Sequence, residues 1–175
     1  EDTVTTQTDR DGTLQAGAAL NDSYFAGDRA ELVFDPTAEG AKMLRFTAKS
    51  DLASGDGYDT FTTADGDLRA ILGAGADTLV QGDGLGYVLG DLGMLHQDNP
   101  AYILGRIEAA PLPFTFETGD DSWTAGDGEH VAIMGAGDDT VRLGGGPVQV
   151  LLDHGYTLRD VTNAKLIHTE AKLPK

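Results

Sequence analysis

Two stretches of the chain keep a nine-residue rhythm of apolar and polar positions. From Ser54 to Leu89 the rows read SGDGYDTFT, TADGDLRAI, LGAGADTLV and QGDGLGYVL. From Phe116 to Leu151 they read FETGDDSWT, AGDGEHVAI, MGAGDDTVR and LGGGPVQVL. The eighth position is apolar in every row: Phe61, Ala70, Leu79, Val88, Trp123, Ala132, Val141 and Val150. The fourth is glycine in every row: Gly57, Gly66, Gly75, Gly84, Gly119, Gly128, Gly137 and Gly146. Glycine turns the chain through φ values that other residues avoid. A short strand then aims its middle side chain inward, because side chains alternate across a strand. The pattern predicts an all-β fold, a parallel β-roll or β-solenoid whose stacked turns bury the eighth-position residues.

The rhythm is duplicated. Residues 59–93 align with 121–155 at a constant offset of 62, with 17 identities in 35 positions. They include Asp59/Asp121, Gly66/Gly128, Asp77/Asp139, Gly84/Gly146 and Asp91/Asp153. A repeat of this kind is the signature of stacked architectures. The expected organisation is an N-terminal β segment (1–53) that caps or extends the coil, a first repeat block (54–93), a connector (94–115), a second block (116–155) and a C-terminal cap and tail (156–175). Extending the register upstream places Phe25, Phe34, Met43 and Leu52 at the eighth position, but no glycine at the fourth. Residues 18–53 therefore read as strands of the same coil or of a neighbouring sheet. Within the connector, AYILGRIEA reads as an apolar strand and MLHQDNPAY as a loop. The offset between the blocks is not a multiple of nine, so a break in register is expected there. The tail after Gly155 reads as a last strand or short helix.

Composition narrows the classes. Glycine, at 24 of 175 residues, is about twice as frequent as the roughly 7% of average proteins. The 29 acids comprise 22 Asp and 7 Glu, and Asp with Gly belongs to turns rather than helices. The net charge of -17 repels phosphate backbones, which argues against nucleic-acid binding. It favours a cationic partner, and a metal ion is the simplest. No uncharged run approaches the roughly 20 residues that span a bilayer. The opening Glu1-Asp2-Thr3 lacks the basic and apolar regions of a signal peptide. Without cysteine there is no disulfide framework and no thiolate chemistry.

The rows resemble the RTX (repeats-in-toxin) nonapeptide G-G-x-G-x-D-x-U-x. LGAGADTLV and MGAGDDTVR match best, SGDGYDTFT follows, and FETGDDSWT has Glu117 in place of a glycine. The resemblance implies a calcium-loaded β-roll in which sixth-position aspartates and loop carbonyls hold the ion. Carried over residue by residue, the metal site comprises Asp59, Asp77, Asp121 and Asp139, with Gly57, Gly75, Gly119 and Gly137 in the loops. The chain departs from the pattern at the first position, where Ser54, Leu72, Phe116 and Met134 stand. Alternate rows carry Leu68, Gly86, His130 and Val148 at the sixth. With 18 residues per turn, Asp59 stacks on Asp77 and Asp121 on Asp139, and the opposite flank has lost its ligands. Calcium needs six to eight oxygens, which neighbouring turns must supply together.

Other chemistry is thin. The four histidines have no metal-binding spacing and read as surface or loop residues. No G-x-S-x-G turn or P-loop is present. The expected function is non-enzymatic: a calcium-binding structural or adhesive module, secreted or at the surface of a bacterial cell. Expected partners are calcium ions and further copies of the chain, in a homo-oligomer, filament or surface matrix. The alternatives are a calcium-dependent carbohydrate-binding module, with Trp123 as a stacking platform, or the repeat appendage of a secreted enzyme.

Overall fold

The structure, a computed structural model, describes residues 3–6, 12–15, 20–27, 30–34, 43–48, 57–98, 103–109, 119–153, 155–160 and 165–171. Of the residues singled out in the sequence, Leu52, Ser54, Phe116, Glu117 and His154 lie outside that set. The described residues form strands and turns without a helix. The strands are β1 (Thr3–Thr6), β2 (Gly12–Gln15), β3 (Leu20–Ala26), β4 (Ala30–Phe34), β5 (Met43–Ala48), β6 (Asp59–Thr62), β7 (Gly66–Ile71), β8 (Thr78–Gln81) and β9 (Gly86–Leu89). They continue with β10 (Gly93–Asp98), β11 (Ile103–Ala109), β12 (Ser122–Ala125), β13 (His130–Ile133), β14 (Thr140–Leu143), β15 (Val148–Leu151), β16 (Gly155–Asp160) and β17 (Lys165–Ala171).

Two parallel sheets make a β-roll-like coil. The basal sheet runs β2-β6-β8-β12-β14 and the middle sheet β1-β3-β7-β9-β13-β15. From β6 to β9, and again from β12 to β15, the chain alternates between them. The eighth-position residues meet between the sheets. Phe61, Ala70, Leu79, Val88, Trp123 and Ala132 are buried in one cluster with Phe25, and Val141 and Val150 pack against it. Phe25 stacks on Phe61 at 4.4 Å between ring centroids.

A third, antiparallel sheet covers the middle one. Its order is β4-β5-β10-β11-β16-β17, three hairpin arms laid side by side. Middle-sheet residues Tyr24, Ile71, Tyr87, Leu89, Val131 and Ile133 pack here against Phe46, Leu95 and Ile107 of the arms. The middle sheet is thus apolar on both faces, as parallel strands buried on two sides must be. Arg69 lies within it, nearly buried, between the rings of Tyr24 and Tyr87 at 5.7 and 5.8 Å, where the π faces offset part of its desolvation.

The arms correct three sequence expectations. MLHQD is strand β10, not a loop. The tail forms two strands, β16 and β17. The second block does continue the first, since β12 pairs with β8 (Trp123 opposite Leu79) and β13 with β9 (Ala132 opposite Val88). The arm β10–β11 absorbs the irregular offset by leaving the coil and returning to it. Phe34 and Met43 belong to an arm rather than to the coil, whereas Phe25 keeps its expected inward place.

The unit is present three times in space. A middle strand, a basal strand, a middle strand and an arm recur as β1 to β5, β7 to β11 and β13 to β17. Each arm carries a β-bulge at the equivalent place, after Val33, after His96 and after Leu158. Bulges are built features of a strand pair rather than accidents of it. Three matching ones make the first unit structurally equivalent to the other two, although it lacks their fourth-position glycines.

Candidate functional site

The sixth-position aspartates stand where the chain enters the basal sheet, from the middle sheet at Asp77 and Asp139 and after an arm at Asp59 and Asp121. They form one column rather than two pairs. The Asp59 N–H donates to Asp77 Oδ1 at 2.7 Å, the Asp77 N–H to Asp121 Oδ1 at 2.9 Å, and the Asp121 N–H to Asp139 Oδ1 at 3.0 Å. The middle step bridges 44 residues of sequence and crosses the connector. Asp59, Asp77 and Asp121 are buried, the last two 1% exposed, and Asp139 at the end of the column is half-buried.

The fourth-position glycines make that spacing possible. A Cβ on Gly75 would strike the Gly57 carbonyl oxygen, one on Gly119 that of Gly75, and one on Gly137 that of Gly119. Gly75 also has φ +113°, a conformation that side chains strain. All eight site residues expected from the sequence are therefore brought together. The carbonyls of Gly57, Gly75 and Gly119, however, point along the column at the next glycine.

One further acid joins the column. Asp91 stands where β9 leaves the coil for its arm, and its Oδ2 accepts the Ala136 N–H at 2.7 Å. Its identity with Asp153 in the repeat was the available signal, though it assigned no role. Burial pushes the Asp91 carboxyl up to about 7, against the lowering effect of the Ala136 N–H. Burial pushes Asp121 up to about 9; the Asp77 N–H opposes this, and the charges of Asp77, Asp91 and Asp139 add to it. Asp139 is raised as well, chiefly by burial. Asp121 Oδ2 and Asp139 Oδ2 are buried and accept no hydrogen bond among the described residues. Among the described residues no basic side chain pairs with either. Isolated buried carboxylates of this kind require a counter-ion or a proton.

The donor set is all oxygen, the chemistry of a hard divalent cation. Its geometry is a line and not a cage. Among the described residues no three acidic or histidine side chains converge on one point. A cation here would take the carboxylate oxygen that each turn leaves over, together with backbone carbonyls.

The opposite flank has carboxylates of its own, at the third position. The Asp83 N–H donates to Asp65 Oδ1 (2.9 Å), the Asp127 N–H to Asp83 Oδ1 (2.8 Å), and the Gly145 N–H to Asp127 Oδ1 (2.5 Å). These three aspartates are exposed. His130, read from sequence as a surface or loop residue, is fully buried, with Nε2 3.0 Å from the Gly126 carbonyl oxygen and its ring edge-on to Trp123. Trp123 is equally buried and offers no face to a sugar. Comparison with known proteins adds no family: no family model, curated protein or solved structure matches the chain.

Proposed function

We propose that this chain is a calcium-binding, internally duplicated β-solenoid module of the RTX type. It serves as a non-enzymatic structural or adhesive element of a secreted or cell-surface protein. The observation that carries this reading is Asp121 Oδ2, a buried, unpartnered carboxylate oxygen in a column of like charges. The resemblance of the rows to the RTX nonapeptide supports the same conclusion.

The roles divide by atom. Backbone N–H groups of the preceding turn orient Asp77, Asp121 and Asp139 by holding one oxygen of each. Asp121 and Asp139 keep the second oxygen for the ion, and Asp91 adds negative charge at the arm exit. Calcium, when bound, supplies the positive charge that the column lacks. Because a preformed site is absent from the unfolded chain, binding adds directly to folding stability. Few carboxylates per ion place the affinity near the 10⁻⁴–10⁻³ M of extracellular modules, which suits a calcium-rich exterior.

Chelator-stripped protein titrated with calcium is the test, read by circular dichroism and thermal melting. Calcium is expected to raise the melting temperature, magnesium to do so much less, and Asp121→Asn to remove the response. Melting that calcium leaves unchanged in the wild-type chain would overturn the reading.

A further inference from the structure

Among the described residues the coil is open at its far end. β14 and β15 are the last strands of the basal and middle sheets. Between them lies a concavity of about 630 Å³ lined by Thr140, Val141, Leu143, Val148, Val150 and Leu152. Inner residues of earlier turns such as Leu79, Val88 and Trp123 are fully buried, whereas Val148 and Leu152 are 52% and 53% exposed.

What fits there is specified by the turns already stacked. Each position-six N–H donates to the carboxylate one turn further on; the Asp139 N–H is next in that series and has no acceptor among the described residues. Carbonyl oxygens of position-six residues receive the following strand, as Asp77 O receives the Ser122 N–H and Asp121 O the Thr140 N–H; Asp139 O is next. Each glycine carbonyl from Gly57 to Gly119 meets a glycine one turn on, and Gly137 follows. Deepening the solenoid reading above, on which it rests, we infer that this end is a docking site for a polypeptide segment that forms one further turn of the same pattern. Its parallel strand carries glycine at the fourth position, aspartate at the sixth and an apolar residue at the eighth. This is strand addition, in which main-chain bonds give affinity and side-chain pockets give selectivity.

A second copy stacked by its leading strands fits less well. Its first basal strand, β2, has Gly12 in register with Asp59, so it brings no carboxylate to Asp139. Two chains of net charge -17 also repel one another.

The test uses the full chain and a fluorescent peptide of residues 72–89, LGAGADTLVQGDGLGYVL, followed by anisotropy in calcium and in chelator. Saturable binding is expected. It should weaken about tenfold for the peptide with Asp77→Ala, which loses a charge-assisted hydrogen bond, and vanish for a scrambled peptide. The exposed-residue variant Val148→Glu/Leu152→Glu should fold as the parent does and lose the peptide. No binding in either condition, equal binding of the scrambled peptide, or self-association of the chain that excludes the peptide would each overturn the inference. Calcium stabilisation is read separately by melting. Loss of peptide binding with that stabilisation intact therefore overturns the docking site alone, and the converse result overturns the calcium reading alone.

Discussion

The two flanks of the coil use one device to opposite ends. On both, an aspartate oxygen accepts a backbone N–H from the adjacent turn, so both columns cap the ladder. On the flank of Asp65, Asp83 and Asp127 the carboxylates stand in water, and solvent screens their repulsion. On the flank of Asp77 and Asp121 the same group is buried, and among the described residues no basic side chain pairs with Asp121. Hydrogen bonding alone does not make a site here. Burial turns one of two similar carboxylate columns into a demand for a counter-ion or a proton.

Glycine replacement has the largest expected effect, and it separates the fourth position of a corner from the third on either flank. Gly75→Ala forces a side chain onto the Gly57 carbonyl at a positive φ, and should cost about 3 kcal/mol or more in urea unfolding, or prevent folding. Gly145→Ala, whose Cβ would come no nearer than 3.3 Å to Asp127, should stay within about 0.5 kcal/mol of the parent.

The next contrast is chemical. In chelator, Asp121→Asn keeps the acceptor for the Asp77 N–H and is neutral without taking up a proton on folding, so it should stabilise the chain by roughly 1–3 kcal/mol at pH 8. Asp83→Asn should change little with or without calcium. Equal effects of the two substitutions on melting would erase the distinction between the flanks.

The smallest expected effect is on pH dependence. Asp91 and Asp121 have folded-state values near 7 and 9, above the ordinary 3.8. The folded chain therefore holds their protons more tightly than the unfolded chain does. The stability linked to them is complete below about pH 4 and is lost as pH rises through 7 and then 9. In chelator, melting temperature should fall over that window, and Asp121→Asn should flatten its upper half. A rise across the same window would show that these carboxylates are charged and satisfied without metal.

Much of the coil was legible because glycine at the fourth position and an apolar residue at the eighth are local requirements of a single turn. The column of Asp59, Asp77, Asp121 and Asp139 followed from the same spacing. Its continuity from Asp77 to Asp121 did not, because no nine-residue count crosses an arm. The arm sheet was missed for a physical reason that the rows contained. Those ending LRAI, GYVL and HVAI place Ile71, Tyr87, Leu89, Val131 and Ile133 on the face turned away from the coil, whereas those ending DTFT and DSWT carry hydroxyls there. Two-sided apolar strands require a second covering layer. The first unit went unseen because Asn21 and Ala30 stand where a glycine would have marked it, and only its bulge and its place in three sheets reveal it.

The arms separate chain length from axial rise. Eighteen residues or 44 residues equally advance the ladder by a single strand, like a spiral stair whose alternate landings carry balconies. A balcony's width is dictated by the balconies above and below it, not by the stair. Trimming β10 and β11 to a six-residue corner like 72–77 would leave the steps aligned. It would also strip the cover from Tyr87 and Leu89, turning an interior wall into an exterior one.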